Sequence, residues 1–187
     1  YNSAAAAAYQ PAAAAAAAPQ PAAVTGFQFD GETLTLSSLE HLEEVEQNPD
    51  ILENTKKIIF ERNISIIPES INVFLKKFKT LESIQGDGVV TVGKAAFELL
   101  KKLEIVILPE VTTIEECAFS ECGHLVTINL PKATTIGAEV FPFCGRLEKI
   151  DLPSATTIGK NAFWECRRLA TINLPNARSI GNSAFFY

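Results

Sequence analysis

LPEVTTIEECAFSECGHLVTIN (residues 108–129), LPKATTIGAEVFPFCGRLEKID (130–151), LPSATTIGKNAFWECRRLATIN (152–173) and LPNARSIGNSAFFY (174–187) are one phrase written four times. Leu108, Leu130, Leu152 and Leu174 are 22 residues apart with no insertion. A fixed period of this length, carrying short apolar strands, predicts a solenoid in which each turn stacks on the last.

The register extends upstream in degraded form. Leu81, Leu103, Leu125, Leu147 and Leu169 keep it; so do Val92, Ile114, Ile136, Ile158 and Ile180, and the column Phe97, Phe119, Phe141, Phe163 and Phe185. Residues 63–80 read as a still earlier turn, with Ile71, Phe74, Leu75 and Phe78 on a short helix after Pro68. In L-x-x-I-x-L the apolar members point inward from a short strand and the residues between them face solvent, because side chains alternate with period two. Pro109, Pro131, Pro153 and Pro175 stop that strand. Thr-Thr-Ile-Gly is a second extended stretch with a flexible exit at glycine, and Ala-Phe supplies a large ring for the centre. One such turn cannot bury enough apolar surface to offset the entropy of ordering it, so stability must come from stacking.

Ahead of the array, residues 27–36 alternate apolar and polar about Asp30-Gly31, a hairpin signal. Ser37 stands at capping-box spacing from Glu40; Leu39, Leu42 and Val45 share a helical face, and Asn48-Pro49 ends that helix. Residues 26–57 are thus expected to form a hairpin-helix cap on an array at 58–187. Residues 1–25 are alanine runs broken by Pro11, Pro19 and Pro21, read as a tether or an unassigned segment and too interrupted for a stable helix or a membrane span. The last turn stops after 14 of its 22 residues, which predicts further repeats, or self-association through that uncovered end.

Charge narrows the function. The 187 residues carry a net charge of -6, with both signs mixed along the array, so no basic stripe for nucleic acid is expected, and no basic amphipathic helix for a membrane surface. The four cysteines do not suggest a disulfide framework. Cys122, Cys144 and Cys166 recur at one repeat position, and an inward ladder of reduced thiols is favoured over stacked disulfides. Such a line of sulfurs does not suit tetrahedral zinc, so neither metal nor cofactor is expected. No nucleophile, base and orienter recur together, and Gly86-Asp87-Gly88 lacks the helix and lysine of a phosphate loop. The chain reads as noncatalytic.

The motif L-x-x-I-x-L-P-x-x-x-x-I-G-x-x-A-F-x-x-C resembles the BspA-like, or Treponema pallidum type, leucine-rich repeats. Residues 147–166 reproduce it in full; Glu115, Val140 and Pro142 depart from it. The resemblance implies an α/β leucine-rich repeat solenoid with its short parallel strands on the concave face. It also implies an extracellular or cell-surface protein, lipid-anchored in its precursor, that binds host or matrix proteins. The lipidated cysteine of such precursors is not in this sequence.

Binding candidates follow from the alternation. The outward columns are Ser83, Ile105, Thr127, Lys149 and Thr171, and Gln85, Ile107, Asn129, Asp151 and Asn173. Ile105 and Ile107 are apolar where solvent is expected, which suits either recognition or packing on the preceding irregular turn. Lys149 and Asp151 offer charges to a partner or to water. Trp164, with Phe186 and Tyr187, is expected to form an aromatic patch. An adhesion module and a spacer that presents another domain both fit these features.

Overall fold

The computed structural model describes residues 26–187; the expected tether at 1–25 lies outside them. In chain order the elements are β1 (Phe27–Phe29), β2 (Thr33–Leu36), α1 (Leu42–Glu46), α2 (Pro49–Asn54), β3 (Lys57–Phe60), β4 (Ile66–Ile67), α3 (Ile71–Leu75) and β5 (Ser83–Gly86). The regular turns then follow as β6 (Thr91–Val92), β7 (Ile105–Ile107), β8 (Thr113–Ile114), β9 (Thr127–Asn129), β10 (Thr135–Ile136), β11 (Lys149–Asp151), β12 (Thr157–Ile158), β13 (Thr171–Asn173) and β14 (Ser179–Ile180).

These strands build the expected solenoid. The concave sheet runs β1-β2-β3-β5-β7-β9 and is parallel except for β1. A second parallel sheet, β4-β6-β8-β10-β12-β14, is made by the Thr-Thr-Ile segments and their degenerate counterparts. Between the sheets the five phenylalanines of the repeat column stack in file from Phe97 to Phe185, with ring centroids 5.1 to 5.3 Å apart. Around them Leu103, Leu125, Leu147, Val106, Ile114, Ile136 and Ile150 are fully buried.

The thiol ladder is present. Cys122, Cys144 and Cys166 are free and buried, and each donates to a carbonyl of the preceding turn, those of Phe97, Phe119 and Phe141, at 3.1, 3.3 and 3.0 Å. Burial pushes Cys122 and Cys166 up to about 12 and raises Cys144 as well, so all three are protonated at neutral pH.

The first turns differ from the sequence reading in two respects. The first helix stops before Asn48-Pro49 as expected, α1 ending at Glu46, but the same pair opens a second helix: the Asn48 side chain accepts the Asp50 N–H at 3.1 Å, and Pro49 begins α2. Proline fits that place because the first helical N–H needs no intrahelical partner. Nor do Ser37 and Glu40 form a capping box. His41 is the N-cap of α1 with no side-chain hydrogen bond, and Ser38 Oγ instead accepts the Glu40 N–H at 3.1 Å. The hairpin itself forms, tightened by the Asp30 carboxylate, which accepts from Glu32 and Thr33 N–H at 3.1 and 2.8 Å. Its return strand β2 pairs in parallel with β3, Leu34 against Ile58 and Leu36 against Phe60. The hairpin thereby supplies the first rung of the parallel sheet.

The convex side carries a third ladder that the sequence reading did not foresee. Ala95, Cys117, Glu139, Asn161 and Ser183 have φ between 51° and 59°, and Leu99, Glu121, Phe143 and Glu165 between 56° and 63°. This left-handed backbone is uncommon for non-glycine residues. With the two left-handed positions four residues apart in each turn, three successive odd-numbered N–H groups point at the next turn. Cys117, Phe119 and Glu121 N–H donate to Ala138, Val140 and Pro142 carbonyls at 2.9 to 3.1 Å, and the pattern recurs in neighbouring turns. Because position 142 only accepts, Pro142 costs the ladder nothing. At the N-terminal end α3 uses its own N–H groups, and the Asn72 amide takes their place, donating to Ala96 O at 3.3 Å and Glu98 O at 2.9 Å.

The repeat glycines serve close packing and not flexibility. A Cβ on Gly159 would lie 2.3 Å from the Gly137 carbonyl oxygen, and one on Gly137 2.9 Å from Ile114 O.

Candidate functional site

The concave sheet gathers the outward side chains into two columns. Parallel pairing sets Lys57, Ser83, Ile105 and Thr127 side by side in one, and Ile59, Gln85, Ile107 and Asn129 in the other. Lys149 and Thr171 continue the first, Asp151 and Asn173 the second, but on a separate strand pair, since the sheet divides between β9 and β11. The eight candidates therefore fall into two groups of four, joined through the continuous second sheet.

In the first group Ile105 is 38% exposed and Ile107 half-buried. Ile59 was missed by the sequence reading. It is half-buried in the same column as Ile107, with Gln85 between them. Period-two alternation in Lys57–Phe60, with Ile58 and Phe60 inside, carries the signal for it. Ile105 and Ile107 form a small apolar centre flanked by Ser83, Gln85, Thr127 and Asn129, with Ile59 on the far side of Gln85. In the second group Asn173 Nδ2 donates to Asp151 Oδ1 at 2.9 Å, so this carboxylate is held by an amide across the rung. Among the described residues Lys149 has no ion-pair partner.

Trp164 is elsewhere, on the convex flank. It is half-buried and packs edge-on against Phe143, with centroids 4.9 Å apart and an interplanar angle of 65°. Phe143 is 44% exposed and is a member of this patch that the sequence reading left out. Its left-handed backbone, invisible in a single repeat, holds it outside the core.

The ionisable groups elsewhere form rung-to-rung surface pairs, such as Lys94–Glu116 at 2.9 Å and Lys132–Glu110 at 2.6 Å. Such exposed pairs each contribute under about 1 kcal/mol. Among the described residues no three His, Cys, Asp or Glu side chains group as metal ligands, and no helix is long and apolar enough to cross a membrane.

The repeat phrase matches the BspA type leucine-rich repeat region, in six copies over residues 70–187. The chain belongs to this family. Solved structures of two leucine-rich repeat proteins are similar in fold. A leucine-rich cell surface protein of Faecalibacterium prausnitzii superposes with a TM-score of 0.58 at 21% identity over 87% of this chain, which spans 43% of that protein. A T. pallidum leucine-rich repeat protein superposes with a TM-score of 0.56 at 18% identity, over 87% of this chain and 85% of the other. No curated protein matches the sequence. Leucine-rich repeats of this kind are generally protein-interaction modules, which makes the outward columns of the concave sheet the first place to look for recognition.

Proposed function

We propose that this array is a noncatalytic protein-binding module, secreted or held at a cell surface, that grips a host or matrix protein with the concave sheet. The observation that supports it is the pair Ile105 and Ile107 at outward positions within a polar rim, with Ile59 on the far side of Gln85. Interfaces concentrate their energy in such an apolar centre shielded by near-neutral neighbours. A surface location agrees with that of the similarly folded F. prausnitzii cell surface protein.

A second reading, a spacer with no ligand of its own, draws on one observation. Thr127-Ile128-Asn129 recurs unchanged as Thr171-Ile172-Asn173, as expected where no partner dictates side chains. Surface plasmon resonance of the full chain over a panel of matrix proteins separates the two. Saturable binding to a panel member, lost in Ile105→Asp/Ile107→Asp with an unchanged melting curve, supports the module. Absence of saturable binding across the panel supports the spacer.

A further inference from the structure

A different surface, the ridge between the convex side and the concave sheet, collects cations that the sequence scatters. Lys102, His124, Arg146 and Arg168 each stand three residues before β7, β9, β11 and β13, one on every rung. Parallel rungs are about 4.8 Å apart, so this file extends over roughly 14 Å. The three long cations are exposed, and among the described residues none of them is ion-paired. In the column beside it Lys101 and Arg167 stand at the ends with Gly123 and Gly145 between them, Arg167 being ion-paired with Glu165 at 2.7 Å.

Those two glycines are unexplained by the fold. Neither has a left-handed backbone; a Cβ on Gly123 would come no closer than 4.0 Å to any heavy atom, and one on Gly145 would meet nothing within 4 Å. Gly123 opens onto a depression of about 470 Å³ lined also by Lys101, Glu121, His124 and Phe143. Phe143 is exposed there and braced from behind by Trp164.

We propose that this ridge and depression bind a linear acidic polysaccharide laid along the solenoid axis. Arg146 and Arg168 on adjacent rungs, with Lys102 in the same file and donating to the Lys79 carbonyl at 2.7 Å, suit a partner with repeated negative charge. The exposed face of Phe143 suits the apolar C–H face of a sugar ring, and Glu121 can accept from ring hydroxyls. An acidic peptide offers repeated charge without the apolar ring face that Phe143 suits.

The full chain is tested by affinity electrophoresis and calorimetry against heparin, polygalacturonate, dextran, poly-dT and polyglutamate at one ionic strength. Binding to heparin or polygalacturonate, none to dextran, and weaker binding to poly-dT and polyglutamate is the expected result. Which of the two acidic polysaccharides binds tells whether sulfate or carboxylate is the recognised group. Arg146→Ala/Arg168→Ala should weaken that binding by about tenfold and flatten its salt dependence. Gly123→Leu fills the depression without touching a charge and should also weaken it, as should Phe143→Asn, which suits the left-handed backbone. The proposal is overturned by no binding to either acidic polysaccharide, by tighter binding of poly-dT or polyglutamate, or by undiminished affinity in both Gly123→Leu and Phe143→Asn.

Discussion

Replacing Asn72 by leucine keeps the shape of the side chain and removes its two donors, which isolates the role of this residue at the head of the convex ladder. Its amide is the donor that meets Ala96 O at 3.3 Å and Glu98 O at 2.9 Å. Ala96 is fully buried, so its carbonyl would lose its partner with no access to water. An unsatisfied buried acceptor costs about 1–3 kcal/mol. Glu98 is only half-buried, so water recovers part of the second bond. The expected loss is about 2–4 kcal/mol, equivalent in a chain of this size to a fall in melting temperature of roughly 5–15 °C. Urea unfolding followed by circular dichroism measures it, with Val73→Ala on the same helix as control, since Val73 is 69% exposed. A loss below about 0.5 kcal/mol in Asn72→Leu would refute the idea that this amide stands in for the missing rung.

Other consequences concern the core. Phe119→Ala removes a ring stacked on both sides, at 5.1 Å from Phe97 and 5.3 Å from Phe141, and should cost about 3–5 kcal/mol in the same assay. Gly159→Ala places a methyl 2.3 Å from a backbone oxygen and should destabilise by at least about 1 kcal/mol, whereas Gly145→Ala should be neutral or better. Thiol titration of the native chain should label Cys117, which is half-buried, and reach Cys122, Cys144 and Cys166 only in denaturant. Burial holds Cys122 and Cys166 at about 12 against the model-compound value of 9.0. The unfolded chain therefore releases these protons first, and this part of the stability is intact below pH 9 and lost as pH rises from 9 to 12. Cys122→Ala/Cys166→Ala should flatten the fall in urea midpoint over that window; an equally steep fall would contradict it.

The repeat made the two sheets, the phenylalanine file and the thiol ladder legible, because each is one residue type recurring at one interval that only stacking explains. The second helix, at 49–54, was not legible because proline after a polar residue both closes and opens helices. What decided between them was the side chain of Asn48 folding onto the next turn. The convex ladder was not legible at all. Its left-handed positions carry Ala95, Cys117, Glu139, Asn161 and Ser183, residues with no shared chemistry, so the constraint comes from backbone pairing between turns. Among the candidate sites, Ile105 and Ile107 were visible because they break a polar column, while Ile59 lay hidden in a strand with no neighbouring repeat to compare. The basic ridge escaped notice because the repeat columns that stand out are apolar, while its members are interspersed with glutamates such as Glu104, Glu121 and Glu148.

Hydrogen–deuterium exchange of the full chain, alone and saturated with a matrix protein that it binds, addresses recognition by the concave sheet most directly. The account predicts added protection in peptides covering 57–60, 83–86 and 105–107, with no change across 91–92, 113–114 and 135–136 on the second sheet. Protection confined to the second sheet or to the convex ladder would contradict it.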